Sequence, residues 1–334
     1  MAQPIEDIEI AWTALRDSSD ATGWRSIAIA TFGSCSLRAG CSFPEKEEAL
    51  LAGFAHTSIP AAEKLPDGQG FTVSRLERTS DGASWIALAR KSHGTLEFFT
   101  AMVADVFRAM QSEPGADDQR LLRVFLGRIR AWQEFMRKGG LALSTDAEIG
   151  LIGELTLLRA IVEAGVHAAT AVESWVGPLD GIQDFEVGTG ALEVKTTLSA
   201  QGFPAKIGSL EQLDDSARQP LFVAGARLRQ TETGQNLPDF VEALRHLIEG
   251  DSEARRLLAE RLLAAGYFDA HADRYPRRFA IAGTRVTEVL ADFPRLTRGK
   301  VPAAIMRAIY EIDLDKAPGE DIGIAAALKK MGAI

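Results

Sequence analysis

Residues 183–197 read Q-D-F-E-V-G-T-G-A-L-E-V-K-T-T. Two alternating arms flank a Gly-Thr-Gly turn, which is the pattern of a β-hairpin. Phe185 and Val187 alternate with Asp184 and Glu186 on the first arm, and Leu192 and Val194 with Glu193 and Lys195 on the second. Successive strand side chains point to opposite faces. Burying the four apolar residues on one face therefore gathers Asp184, Glu186, Glu193 and Lys195 on the other. Three carboxylates and one ammonium in a small patch cost stability unless a cation lies among them. A divalent metal ion would remove that cost, so the patch is a candidate for metal-dependent chemistry. A solvated hairpin with an ordinary charged outer face fits the same residues.

Upstream, Thr145-x-x-Glu148 forms a capping box that starts a helix running to about Ala164, with Gly165 as its C-cap. Leu151, Leu155, Leu158, Ile161 and Val162 make its apolar stripe, and Glu154 falls within the arc they cover. A carboxylate facing the sheet is costly unless it is paired or bound to a metal. Glu154 at the edge of the stripe and paired with a lysine is the alternative. Glu148, Arg159 and Glu163 fall outside the arc and read as solvated charges.

The elements that must position these side chains follow from the same patterns. Residues 174–181 are a turn-rich lead-in to the hairpin. In residues 206–213, Ser209 can cap a short helix carrying Gln212, and residues 220–229 form a strongly apolar strand. The order helix, strand, strand, helix, strand predicts an α/β sandwich with helices covering a small mixed sheet. Residues 237–265 supply two helices broken at Gly250, while 279–289 and 304–314 fit either strand or helix. Before all this lies an α+β unit: a helix over 5–15, strands over 25–31, 71–76 and 84–91, and a loop over 60–70. A helical connector follows, with helices over 96–110 and 117–138. The domains expected are therefore 1–140 and 141–334.

Composition narrows the classes. The chain has 334 residues, is 46% hydrophobic and 25% charged, and can build a sizeable core. No apolar run reaches the roughly 20 residues needed to cross a bilayer, so no membrane partner is expected. The acidic opening M-A-Q-P-I-E-D-I-E-I lacks a signal-peptide pattern, which points to the cytoplasm. Two cysteines, Cys35 and Cys41, read as buried thiols, and the five scattered histidines show no zinc-ligand spacing. P-loop, dinucleotide and nucleophile-elbow motifs are absent from the sequence. Trp12, Trp24 and Trp85 read as core or interface anchors rather than a base-stacking platform. The net charge of −9 argues against a free-standing nucleic-acid binder, yet from Arg274 to Arg307 eight basic residues face two acidic ones. A local phosphate-binding footprint and a solvated face fit that segment equally.

A helix glutamate, an aspartate opening a strand and E-V-K in the next strand together resemble the PD-(D/E)XK, restriction endonuclease-like superfamily. The wording is closest to an uncharacterised bacterial family of PD-(D/E)XK motif proteins: G-L-I-G-E-L at Glu154, W-V-G-P at 175–178, Q-D-F at 183–185, E-V-K-T-T at 193–197 and S-L-E-Q-L at 209–213. The resemblance covers about 145–315 and implies an αβα sandwich in a metal-dependent DNA endonuclease of a restriction or anti-phage defence system. A catalytically silent fold used for DNA docking or assembly is the alternative. By the resemblance, Glu154, Asp184, Glu193 and the carbonyl of Val194 bind Mg²⁺ or Mn²⁺, and Lys195 completes the catalytic set. Gln212 stands near the site. Arg227, Arg229, Arg274, Arg277, Arg278, Arg295, Arg298 and Lys300 hold the DNA backbone. Helicase-like ATPase and methyltransferase subunits are implied as partners, and a homodimer is allowed. Where the family's pattern has proline, this chain has Gln183. Asp180, after Pro178, and Glu186, which the alternating register sets opposite Glu193, therefore remain rivals to Asp184.

Overall fold

The computed structural model describes residues 4–16, 22–60, 62–76 and 82–334. They fall into two compact units, 1–140 and 141–334. No helix among the described residues is long and apolar enough to cross a membrane.

The first unit opens with helix α1 (Pro4–Arg16), followed by β1 (Gly23–Phe32), β2 (Cys35–Phe43), β3 (Glu47–Phe54), β4 (Phe71–Arg75) and β5 (Ser84–Arg90). The strands form an antiparallel sheet in the order β1-β2-β3-β5-β4. Helices α2 (Leu96–Gln111) and α3 (Asp118–Arg137) complete the unit. Strands β2 and β3 were not legible as alternating runs, because both of their faces are largely buried. Burial on both faces takes in Glu48, which is 0% exposed. Its carboxylate pairs with Arg16 and accepts from Arg90 Nε at 2.7 Å. Cys35 and Cys41 are free and buried. Trp12 is buried in the core, its Nε1–H donating to the Ala49 carbonyl at 2.9 Å, whereas Trp24 is exposed.

The second unit comprises α4 (Thr145–Glu163), α5 (Ala168–Ser174), β6 (Phe185–Val187), β7 (Gly190–Thr197), β8 (Pro204–Ile207), β9 (Leu221–Gln235), α6 (Leu237–Leu247), α7 (Ser252–Ala265), β10 (Phe279–Glu288), β11 (Tyr310–Asp313) and α8 (Gly323–Lys330). Its sheet is mixed, in the order β10-β9-β7-β6, with β7 and β9 parallel and the other pairs antiparallel. Leu192, Val194, Phe222, Ala224 and Ala226 pack one face against Leu151, Leu155, Leu158 and the other helices. The opposite face departs from the expected sandwich. There Ala191, Leu221 and Val223 pack on Phe203, Ala205 and Ile207 of the ribbon formed by β8 and β11, and on Leu213, Phe293 and Leu314. Leu213 joins that core from a turn, and the short helix expected around Gln212 is not formed. The hairpin joining β6 and β7 turns through Gly188 and Thr189, and Thr189 N–H donates to the Met331 carbonyl just after α8, at 3.0 Å.

Candidate active site

The last ladder pair between β6 and β7 is Phe185 with Leu192. Strand β7 continues to Thr197 along β9, so its outer edge opens just past the first residue of β6. Asp184 stands at that opening, and its Oδ2 accepts from the Val194 N–H at 2.7 Å. The side chain thereby takes the place of the next ladder acceptor. Helix α4 crosses β7 at close range. A Cβ on Gly153 would collide with Thr196 Oγ1, so glycine here lets the helix lie directly against the Thr196 side chain. The next residue is Glu154. It is half-buried, and its Oε2 accepts from Nε1 of the fully buried Trp175 at 2.7 Å. Glu193 is 1% exposed, and Lys195 Nζ lies 2.6 Å from its Oε1. Gln212 Oε1 accepts from Lys195 Nζ at 3.4 Å and from Gly208 N–H at 2.7 Å.

The electrostatics agree with this crowding. Burial pushes the Glu193 carboxyl well above its ordinary range, and the negative charges of Asp184 and Glu154 push it further, against the pull of Lys195. Burial also raises Asp184, opposed by the Val194 N–H and by Lys195. Glu193 Oε2 is buried and has no hydrogen-bond partner. A desolvated oxygen without a donor, among carboxylates that resist ionisation together, is what a hard cation would satisfy. Oxygen donors and the absence of thiolate or imidazole suit Mg²⁺ or Mn²⁺. As the side chains lie, no three His, Cys, Asp or Glu residues converge on one point among the described residues. Glu154 is turned onto Trp175, Asp184 onto Val194 and Glu193 onto Lys195.

Several expectations are corrected. Glu186 lies opposite Ala191, not Glu193, because the turn has two residues, and it pairs with Arg218 at 2.7 Å. Asp180 is exposed, in a left-handed conformation (φ 63°) at the end of a 3-10 turn over Gly177–Leu179, and is not among the main charges acting on Glu193. Glu148, read as solvated, is buried and paired with Arg277. The basic segment is not one free patch, because folding spends most of its charge locally. Arg277 serves Glu148, Arg278 pairs with Asp239, Arg295 with Asp215 and Arg298 with Glu211, while Lys300 donates to the Ala291 carbonyl. Arg227 pairs with Asp315 and lies over the Phe203 ring. Arg229 and Arg274 are exposed and make no ion pair among the described residues. Reading the sequence missed Tyr310, whose strand could not be told from a helix. Burial raises its hydroxyl, opposed by the bond from Leu296 N–H and by the charges of Lys195 and Arg295, which puts Tyr310 within electrostatic reach of the lysine.

A family model described as "Putative PD-(D/E)XK family member (DUF4420)" matches residues 8–315. No curated protein and no solved structure gives a significant match.

Proposed function

Because the chain belongs to this PD-(D/E)XK family, we propose that residues 141–334 are a divalent-metal-dependent DNA endonuclease working in a bacterial restriction or anti-phage defence system. The observation that carries the reading is Glu193, buried in β7 with one oxygen lacking a hydrogen-bond partner, bonded to Lys195 and within electrostatic reach of Asp184 and Glu154. Glu154, Asp184 and Glu193, with the Val194 carbonyl, would hold Mg²⁺ or Mn²⁺. Such an ion supplies Lewis acidity toward the scissile phosphate and its nucleophile. Lys195 would leave Glu193 for the phosphate or the attacking water and offset the charge that develops there. Gln212 holds Lys195 from the turn behind it. Arg229 and Arg274 would meet DNA without first giving up an ion pair. Helicase-like ATPase and methyltransferase subunits would be partners in such a system.

The internal ion pairs of the remaining arginines favour one second reading, a silent fold that docks or assembles without cutting. Incubation with supercoiled, linear and single-stranded DNA, with Mg²⁺, Mn²⁺ or chelator, separates the two. The endonuclease reading expects metal-dependent cleavage that Glu193→Ala and Lys195→Ala abolish. Equal nicking by all three proteins would sink it, and DNA binding without cleavage would favour the docking fold.

A further inference from the structure

The residues Trp175 to Gly177 take no part in the chemistry above, yet they bond the carboxylate of Glu154 and the backbone of Asp184. Trp175 is fully buried and donates its indole N–H to Glu154 Oε2 at 2.7 Å. The same residue bridges to Phe185 by backbone and stacks on its ring, with centroids 6.4 Å apart and planes 18° from parallel. The next two backbone N–H groups, of Val176 and Gly177, both donate to the Asp184 carbonyl, at 2.9 and 3.0 Å. Gly177 leaves no spare room. A Cβ there would stand 2.8 Å from Asp184 Oδ1, an oxygen whose carboxylate is already tied to Val194.

We propose that Trp175–Gly177 is a positioning clamp that fixes Glu154 relative to Asp184, and so sets the width of the cation site; this rests on the metal-dependent reading above. Glu154 comes from α4 and Asp184 from the start of β6, so neither parent element fixes their separation. One three-residue segment holds the first by its side chain and the second by its backbone. The donors are neutral. An indole N–H is a donor only and carries no charge, so it orients a carboxylate without cancelling the charge that a cation would use. An arginine in its place would orient equally well and neutralise the ligand. Trp175→Phe keeps the ring stack and removes the donor.

The experiment combines NMR of the full chain with calorimetric titration of Mn²⁺ and Mg²⁺. In the assigned spectrum, the Trp175 indole N–H signal is expected to shift in Glu154→Gln, a comparison that needs no tryptophan variant to fold. Trp175→Phe is expected to weaken cation binding about tenfold, the usual lower range for losing an outer-shell partner. The penalty should vanish in the Glu154→Gln background, whereas a packing defect would persist there. An indole signal unmoved by Glu154→Gln overturns the clamp. So does an equal Trp175→Phe penalty with and without Glu154. A wild-type protein that binds neither cation, while the indole still responds to Glu154→Gln, overturns the metal reading and leaves the Trp175–Glu154 contact standing.

Discussion

Each unit buries one glutamate in its sheet, and the two are treated in opposite ways. Glu48 lies within β3 and is met by two guanidinium groups, from Arg16 and Arg90. Glu193 lies within β7 and is met by a single ammonium, with two further carboxylates in electrostatic reach. The first arrangement compensates its charge and is finished. The second is short of positive charge, with one ammonium set against three carboxylates. Burial alone therefore does not mark a functional carboxylate; a deficit of compensation does.

The largest test of that contrast is to neutralise each glutamate. Glu48→Gln should destabilise the protein by about 3 kcal/mol, since it strands two arginines, one of them largely buried. Glu193→Gln keeps the shape and relieves like-charge crowding, so without cation it should leave stability unchanged or raise it by about 1 kcal/mol. Urea titration of both variants reads the difference, and equal losses would break the comparison. Adding Mg²⁺ should then stabilise the wild type and not Glu193→Gln.

A smaller effect comes from the backbone approach that brings Glu154 to the strand. Gly153→Ala forces α4 away from Thr196 and should cost about 2 kcal/mol as overpacking, with a further loss of cation binding. Binding that survives intact would mean that the helix height does not matter to the cluster.

The last test lies in the first unit and is confined to alkaline pH. Burial, with the nearby Asp118 charge, pushes the Cys35 thiol up to about 12. Above the ordinary thiol range the unfolded chain gives up this proton while the folded chain keeps it, so stability falls as pH rises from there toward 12. The slope that Cys35 contributes approaches about 1.4 kcal/mol per pH unit and should be lost in Cys35→Ala, which keeps only the contributions of the other raised groups, Cys41 among them. Alkylation of native Cys35 at pH 8 would show instead that this interior is open, and that the closed environment drawn for Glu48 is wrong.

The site was more legible than the sheet that carries it. Strand alternation brought Asp184, Glu193 and Lys195 to notice, and the helical wheel did so for Glu154, because charged residues interrupt the apolar pattern of the hairpin and of α4 at positions the two periods define. Register was less accessible. Glu186 opposite Glu193 would need a four-residue turn; the two-residue turn sets it opposite Ala191. The doubly buried strands β2 and β3 lack a period to read, and β8 and β11 are four residues each, too short for a pattern. Charge bookkeeping failed for the basic segment because its partners, Glu148, Glu211, Asp215 and Asp239, are distant in sequence. Trp175 carried a signal of another kind: a tryptophan in a turn-rich stretch, whose donor must find an acceptor once buried.

The bond from Thr189 to the Met331 carbonyl joins residues 142 positions apart. During synthesis the hairpin that bears Glu193 and Lys195 leaves the ribosome long before the residue that latches its turn. Strand β9, which pairs β7, also follows later. The carboxylate cluster can therefore take its final form only after residue 331 has emerged, so a nascent chain would hold this chemistry in abeyance until the unit is essentially complete.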